Sequence, residues 1–225
     1  MCRMGTLYLV RHGQASFGAD DYDQLSELGR RQSERLGQYW GARGMHFDAV
    51  FTGTLRRHAQ TWSGIALGAG YDQQAQTLAG LNEYDSAAVI AAIHPQPLPR
   101  PDSPELYRQH FRLLRDGLRQ WMNGVISPRG MPSYDDFLAG VTAVLEQVRR
   151  DYEGRVLIVS SGGPIATAVG HVLGTTPETT IDLNMRIRNS AVSEFSFTPK
   201  RHALLSYNTL PHLDEPALAD WITYA

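Results

Sequence analysis

Short apolar runs alternate along the chain with longer stretches of helical period. Thr6–Val10 reads as a strand. Ser26 then opens a helix as its N-cap, with Leu28, Leu36 and Tyr39-Trp40 on the apolar side. Phe47–Thr52 reads as a second strand, Leu55–Leu67 as the helix after it, and Gln76–Leu78 as a short strand. Within Arg155–Ser160, Val156-Leu157-Ile158-Val159 is an unbroken apolar run, the mark of a strand buried on both faces. Gly162-Gly163-Pro164 starts another helix, Pro164 suiting a first turn, and Ser190–Phe197 and Ala203–Tyr207 follow as strands. This alternation predicts an α/β fold, three-layer α/β/α with a mostly parallel central sheet.

The middle of the chain breaks the rhythm. His94 to Pro104 contains Pro95, Pro97, Pro99, Pro101 and Pro104, which excludes a regular helix or a central strand. Two helical patterns follow, one aligning Phe111, Leu114, Leu118 and Trp121, the other Phe137, Val141, Val144-Leu145 and Val148. Residues from about 85 to 133 are expected to form a small helical cap insertion over the sheet edge. The cap belongs to a single expected domain spanning 1–225, a length sufficient for one well-buried core.

Composition narrows the function classes. A net charge of −2 gives no overall attraction to nucleic acid or to a membrane surface, and neither is expected as a partner. No apolar stretch reaches the length of a signal-peptide core or a membrane span. Cys2 is the only cysteine, which excludes an intrachain disulfide and a thiolate metal cluster and fits a reducing cytoplasm. His46, His58, His94, His110, His171 and His202 show no zinc spacing, and Asp20, Asp21 and Asp23 read as a solvated loop. No metal or cofactor is expected. Arg108, Arg112, Arg115 and Arg119 make a basic stripe, read as the solvated side of an amphipathic helix. Nothing in the pattern fixes an oligomeric state.

The chemistry starts where the first strand ends, at Arg11-His12-Gly13. The carboxyl edge of an α/β sheet is where ligands bind. A histidine there can attack phosphorus through a neutral ring nitrogen, and arginines can hold the phosphate oxygens. Of the neighbours Arg56 and Arg57, one faces the site and the other solvent, because adjacent helical residues diverge by about 100°. Glu83 leaves the short third strand at the same edge and can act as general acid and base.

Several segments then match one pattern in order. They are Leu9 to Ser16, Leu25 to Gln32, Thr52-Gly53-Thr54-Leu55-Arg56-Arg57-His58-Ala59-Gln60-Thr61, Leu81-Asn82-Glu83 and Val159 to Ile165. Asn189 to Val192 and Asn208 to Leu213 follow. The chain resembles the histidine phosphatase superfamily, also called phosphoglycerate-mutase-like. The resemblance implies His12 as nucleophile and Glu83 as acid. It implies phosphate binding by Arg11, Arg57, Gln14, Ser16, Ser161 and Gly162. It gives Arg57 the motif position and leaves Arg56 to solvent.

Two departures from the family pattern stand out. Tyr84-Asp85-Ser86 follows Glu83 in place of the usual glycine and Trp-Glu-Gly segment, which argues against a mutase. Ser161 stands where the family usually has a second histidine. Serine keeps a donor, leaves room for a larger ring and brings no positive charge. His212 could approach to compensate, or could only structure a turn. The expected activity is metal-independent hydrolysis of a small phosphorylated metabolite, a phosphomonoester, through a phosphohistidine. The alternatives are a catalytically weakened member that binds a phosphate ligand or a protein, and, third, a phosphoglycerate mutase.

Overall fold

The computed structural model describes residues 4–16, 23–96, 98–99 and 103–224. In chain order its elements are β1 (Gly5–Arg11), α1 (Glu27–Gly41), β2 (Ala49–Thr52), α2 (Arg56–Ala69), β3 (Gln76–Thr77), α3 (Ser86–Ile93), α4 (Pro104–Met122), α5 (Tyr134–Asp151), β4 (Gly154–Ser160), α6 (Gly162–Leu173), α7 (Pro177–Arg186), β5 (Val192–Thr198) and β6 (Arg201–Thr209). The strands form one sheet in the order β3-β2-β4-β1-β5-β6. β3, β2, β4 and β1 pair in parallel, while β5 pairs antiparallel with both β1 and β6. The mostly parallel α/β sheet expected from the alternating pattern is therefore present.

Alternation along the central strands supplies two cores. Leu7 and Leu9 of β1 with Val156 and Ile158 of β4 pack on α5 and α6 through Val141, Leu145, Ile165 and Val169. Val10, Leu157 and Val159 point to the other face and meet Leu36 and Trp40 of α1 and Trp62 and Ile65 of α2. Ser26 caps α1, its side chain accepting from the Gly29 N–H at 3.0 Å as its N-cap role requires.

A third cluster gathers Val89 and Ile90 of α3, Leu114, Leu118 and Trp121 of α4 and Ile181 of α7, with Tyr84 and Phe137 packed against it. Phe111 lies off this stripe and is 41 % exposed, so the sequence grouping was one residue too wide. Neither α3 nor α7 was anticipated. Both carry readable starts: Asp85 caps α3 by accepting from the Ala87 and Ala88 N–H groups, and Thr176 precedes Pro177 and Glu178 in α7. The basic stripe is largely paired with carboxylates. Arg108 meets Glu105, Arg115 meets Asp182 and Arg119 meets Asp116, all on exposed side chains. Among the described residues no helix is long and apolar enough to cross a membrane.

Candidate active site

The sheet brings three strand ends together. β1 and β4 run in register with Arg11 opposite Ser160, and the His12 N–H donates to the Ser160 carbonyl at 2.9 Å. His12 and Ser161 therefore leave the sheet side by side. β2 runs on the other side of β4, and the Gly53 N–H donates to the Val159 carbonyl at 3.3 Å. This is the carboxyl edge of the parallel strands, where such folds place ligands.

His12 is buried, at 3 % exposure. Its Nδ1 lies 2.7 Å from the Gly13 carbonyl oxygen, which can only accept. Nδ1 therefore carries the proton, and Nε2 keeps its lone pair. Arg57 Nε donates to that Nε2 at 3.2 Å. Burial, then the charges of Arg11 and Arg57 and the neighbouring His58, push the His12 pKa well below the ordinary imidazole value. The ring is neutral and of fixed tautomer, with its Nε2 lone pair facing a guanidinium. Its backbone is also held from the C-terminal segment: the Ser190 N–H donates to the His12 carbonyl at 3.2 Å and Asn189 Nδ2 at 3.4 Å.

Arg57 is 7 % exposed while Arg56 is exposed, so the helix turns the expected arginine inward. Arg57 Nη1 pairs with Asp23 Oδ1 at 3.0 Å, and Asp23 also accepts from the Arg56 and Arg57 N–H groups at 2.9 and 3.4 Å. Asp23 lies in a loop as read, with its side chain 39 % exposed, but the structure adds partners that the sequence did not show. It caps the start of α2 from a distance and fixes the Arg57 guanidinium. Asp20 and Asp21 lie outside the described residues. Arg11 Nη1 donates to the Ile187 and Tyr224 carbonyls at 2.5 and 2.6 Å, which ties the β1 end to the chain after α7.

Glu83 sits over the start of α6. The Gly163 N–H is 3.2 Å from each of its carboxylate oxygens. Burial raises its pKa above the ordinary carboxylate value, opposed by the Gly163 N–H, Arg57 and Arg11. A raised pKa suits a group that must give up a proton and take one back. Gly163 makes this approach feasible: a Cβ there would lie 2.2 Å from Glu83 Oε1 and 2.6 Å from Tyr84 Cε1. Gly163→Ala is therefore expected to displace Glu83 and, on a phosphatase reading of the site, to lower kcat/KM by about 10²-fold, the order that a misplaced catalytic group costs. Wild-type kinetics in that variant would show that the close approach is dispensable.

Other expected residues are placed differently. Gln14 turns its amide oxygen to Ser26 Oγ at 2.8 Å, and its N–H donates to Gln32 Oε1 at 2.8 Å. Ser16 pairs through its N–H with the Gln24 carbonyl at 2.8 Å, and none of the described hydrogen bonds ties its hydroxyl to His12, Arg11 or Arg57. Gly162 starts α6 beside Arg11, whose Nε lies 3.8 Å from where its Cβ would stand. His212 is buried with Nε2 2.9 Å from Ser190 Oγ, so it braces the segment behind His12 as the turn-structuring reading has it. The room anticipated beside Ser161 is occupied. Its hydroxyl lies 2.7 Å from His58 Nε2, so a larger ring at 161 would have to displace His58.

His58 was missed by sequence reasoning. It is fully buried, and its ring centroid lies 5.8 Å from that of His12. The signal was there: His58, Thr61, Trp62 and Ile65 are spaced as one helical face, and all four are buried. Among the described residues no group of three or more His, Cys, Asp or Glu could hold a metal ion.

Comparison with known proteins adds to this geometry. A phosphoglycerate mutase from Bacillus anthracis str. Sterne is 18 % identical, with 94 % of this chain and 96 % of that one covered at a TM-score of 0.66. A mycobacterial glucosyl-3-phosphoglycerate phosphatase is 20 % identical over 92 % of this chain and all of its own, at 0.63. A phosphoserine phosphatase from Entamoeba histolytica, solved with phosphoserine, is 18 % identical over 93 % and 99 %, at 0.62. These structures share the fold. The family model described as histidine phosphatase superfamily (branch 1) matches residues 7–210, which takes in most of β1, His12, the start of α2, Glu83 and the start of α6. The chain belongs to the histidine phosphatase superfamily.

Proposed function

We propose that the protein is a phosphatase that hydrolyses a small phosphomonoester through a phosphohistidine on His12. The observation that carries this reading is the fixed tautomer of His12, with Nδ1–H on the Gly13 carbonyl and the Nε2 lone pair facing Arg57. In the first step Nε2 attacks phosphorus and the P–O bond to the leaving group breaks. The bonding pair goes to the leaving oxygen, and Glu83 supplies its proton. In the second step Glu83 takes a proton from water as the water oxygen attacks phosphorus. The P–N bond then breaks, its electron pair returns to Nε2, and inorganic phosphate leaves. Arg57 and Arg11 neutralise the charge on the transferring phosphoryl oxygens.

The cap reading is part of this proposal. Residues of α3 and α4 pack against Tyr84, next to Glu83, so this region would border the leaving group and set its size. Two of the similar structures are named as phosphatases of phosphoserine and of glucosyl-3-phosphoglycerate, both phosphomonoesters. A phosphomonoester screen in EDTA tests the reading. Turnover is expected to persist without metal, since the two guanidiniums supply the positive charge. Abolition by EDTA with recovery in magnesium or manganese would overturn it.

Glu83 has a test of its own. Glu83→Gln is expected to slow an alkyl phosphate by about 10²-fold or more, because its leaving alkoxide must be protonated. The same change should cost p-nitrophenyl phosphate far less, since that leaving group needs little protonation. Equal losses, with phosphorylation rate-limiting for both substrates, would remove Glu83 from the role.

A further inference from the structure

We propose that Ser161 and His58 work as one donor unit, in which the buried His58 ring pins the Ser161 hydroxyl so that its hydrogen is delivered to the phosphoryl group on His12. The inference rests on the phosphatase reading and adds a positioning residue, His58, to it. Ser161 is the N-cap residue of α6, yet its side chain makes no hydrogen bond to its own helix. It is fully buried, and its oxygen lies 2.7 Å from His58 Nε2. A serine at an N-cap ordinarily accepts from the amides of the following turn. Here the hydroxyl is committed to an imidazole from a different helix.

The ring is lodged there by a missing side chain. A Cβ on Gly53 would lie 2.3 Å from His58 Nδ1 and 2.8 Å from its Cε1. Any other residue at 53 would expel the ring. His58 Nδ1 itself is buried with no hydrogen-bond partner among the described residues. Buried polar groups are nearly always paired, so a ring kept with one nitrogen unsatisfied calls for an explanation beyond packing. Among the described residues its one side-chain hydrogen bond is the one to Ser161. Burial and the adjacent Arg57 hold its pKa down to about 3, so the ring is neutral, and a proton on Nε2 rather than on the unpaired Nδ1 makes it the donor to Ser161.

The hydrogen-bond inventory makes the direction useful. A serine hydroxyl has one hydrogen and two lone pairs. With His58 Nε2–H donating to a lone pair, the hydroxyl hydrogen is left to give to an oxyanion. Ser161 follows β4 directly beside His12, so that oxyanion is the group attached to Nε2. His58 is a positioning residue in this arrangement, and Ser161 touches the substrate.

The test compares Ser161→Ala, His58→Ala, His58→Gln, the Ser161→Ala/His58→Ala double variant and His12→Ala. Turnover of p-nitrophenyl phosphate is measured, along with the ring nitrogen resonances of ¹⁵N-histidine-labelled protein on adding inorganic phosphate. Ser161→Ala and His58→Ala should each lower kcat/KM by about 10- to 100-fold, the order expected for one oxyanion donor. The double variant should lose no more than the worse single one, because the two residues act in series. His58→Gln, whose amide nitrogen can stand near the Nε2 position, should recover most of the loss. Multiplying losses, no rescue by glutamine, or unchanged kinetics would overturn the proposal. If His58→Ala does not fold, the wild type decides. Phosphate must shift the His58 Nε2 resonance there and must fail to do so in Ser161→Ala. Turnover that depends on His12 but not on Ser161 or His58 sinks this inference alone. Turnover indifferent to His12 sinks the phosphatase reading and this inference with it.

Discussion

His12→Ala is expected to lower turnover of every phosphomonoester substrate by at least about 10³-fold, because it removes the atom proposed to form the covalent intermediate. The structure gives no substitute nucleophile on that vector. Ser161 Oγ lies against His58, and His58 Nε2 is engaged by Ser161. Acid-quenched wild type incubated with substrate should carry an acid-labile, base-stable phosphate, and the variant should carry none. A phosphate recovered on Ser161, or an undiminished rate, would contradict the assignment. The loss should come without unfolding. His12 contributes a ring hydrogen bond to its neighbour Gly13 and another to Arg57, while Arg57 stays anchored on Asp23.

The part of this site that was legible in the sequence is the part written in short contiguous runs. Arg11-His12-Gly13 follows an apolar run, and strand ends at the carboxyl edge of a parallel sheet converge whatever their order. Helix geometry, which separates neighbours by about 100°, says only that one of Arg56 and Arg57 turns inward; the family motif position singled out Arg57. The relations that could not be read link residues distant in the chain. Asp23 reaches the start of α2 from before α1, and nothing in the sequence around it distinguishes it from Asp20 and Asp21. The Ser161–His58 bond spans 103 positions and depends on the glycine at 53, whose role is the space it leaves. Reading position 161 alone suggested an open volume; only the three-dimensional packing shows that volume filled from α2. The fold shows the same division. The long apolar strand β4 was plain, whereas α3 and α7 draw much of their stability from packing against α4 and α6, which periodicity in a single short segment does not reveal.

Acid should destabilise the fold steeply between about pH 6.5 and pH 5. His58 and His212 are buried and neutral, with pKa values held down to about 3, His58 by burial and Arg57, His212 by burial and Arg35. His12 is shifted the same way, and His202 is held near 4, chiefly by burial. In the unfolded chain these rings titrate near the ordinary value of 6.5. Over that window the unfolded state binds protons that the native rings refuse, so stability is full above pH 6.5 and falls as the pH drops. Each of His58 and His212 contributes a loss of about 2 kcal/mol by pH 5. Against a typical total of roughly 5–15 kcal/mol, two such groups are a large fraction. Glu83 and Glu194, both raised by burial, act in the opposite direction and offset part of this. Urea unfolding at pH 7.5 and pH 5 should therefore show a much lower midpoint at the acid value, with net proton uptake on unfolding. His58→Gln should flatten the pH slope by about one proton if it folds, since glutamine has nothing to titrate. Equal midpoints at the two pH values would mean that these rings are charged and solvated in the native protein.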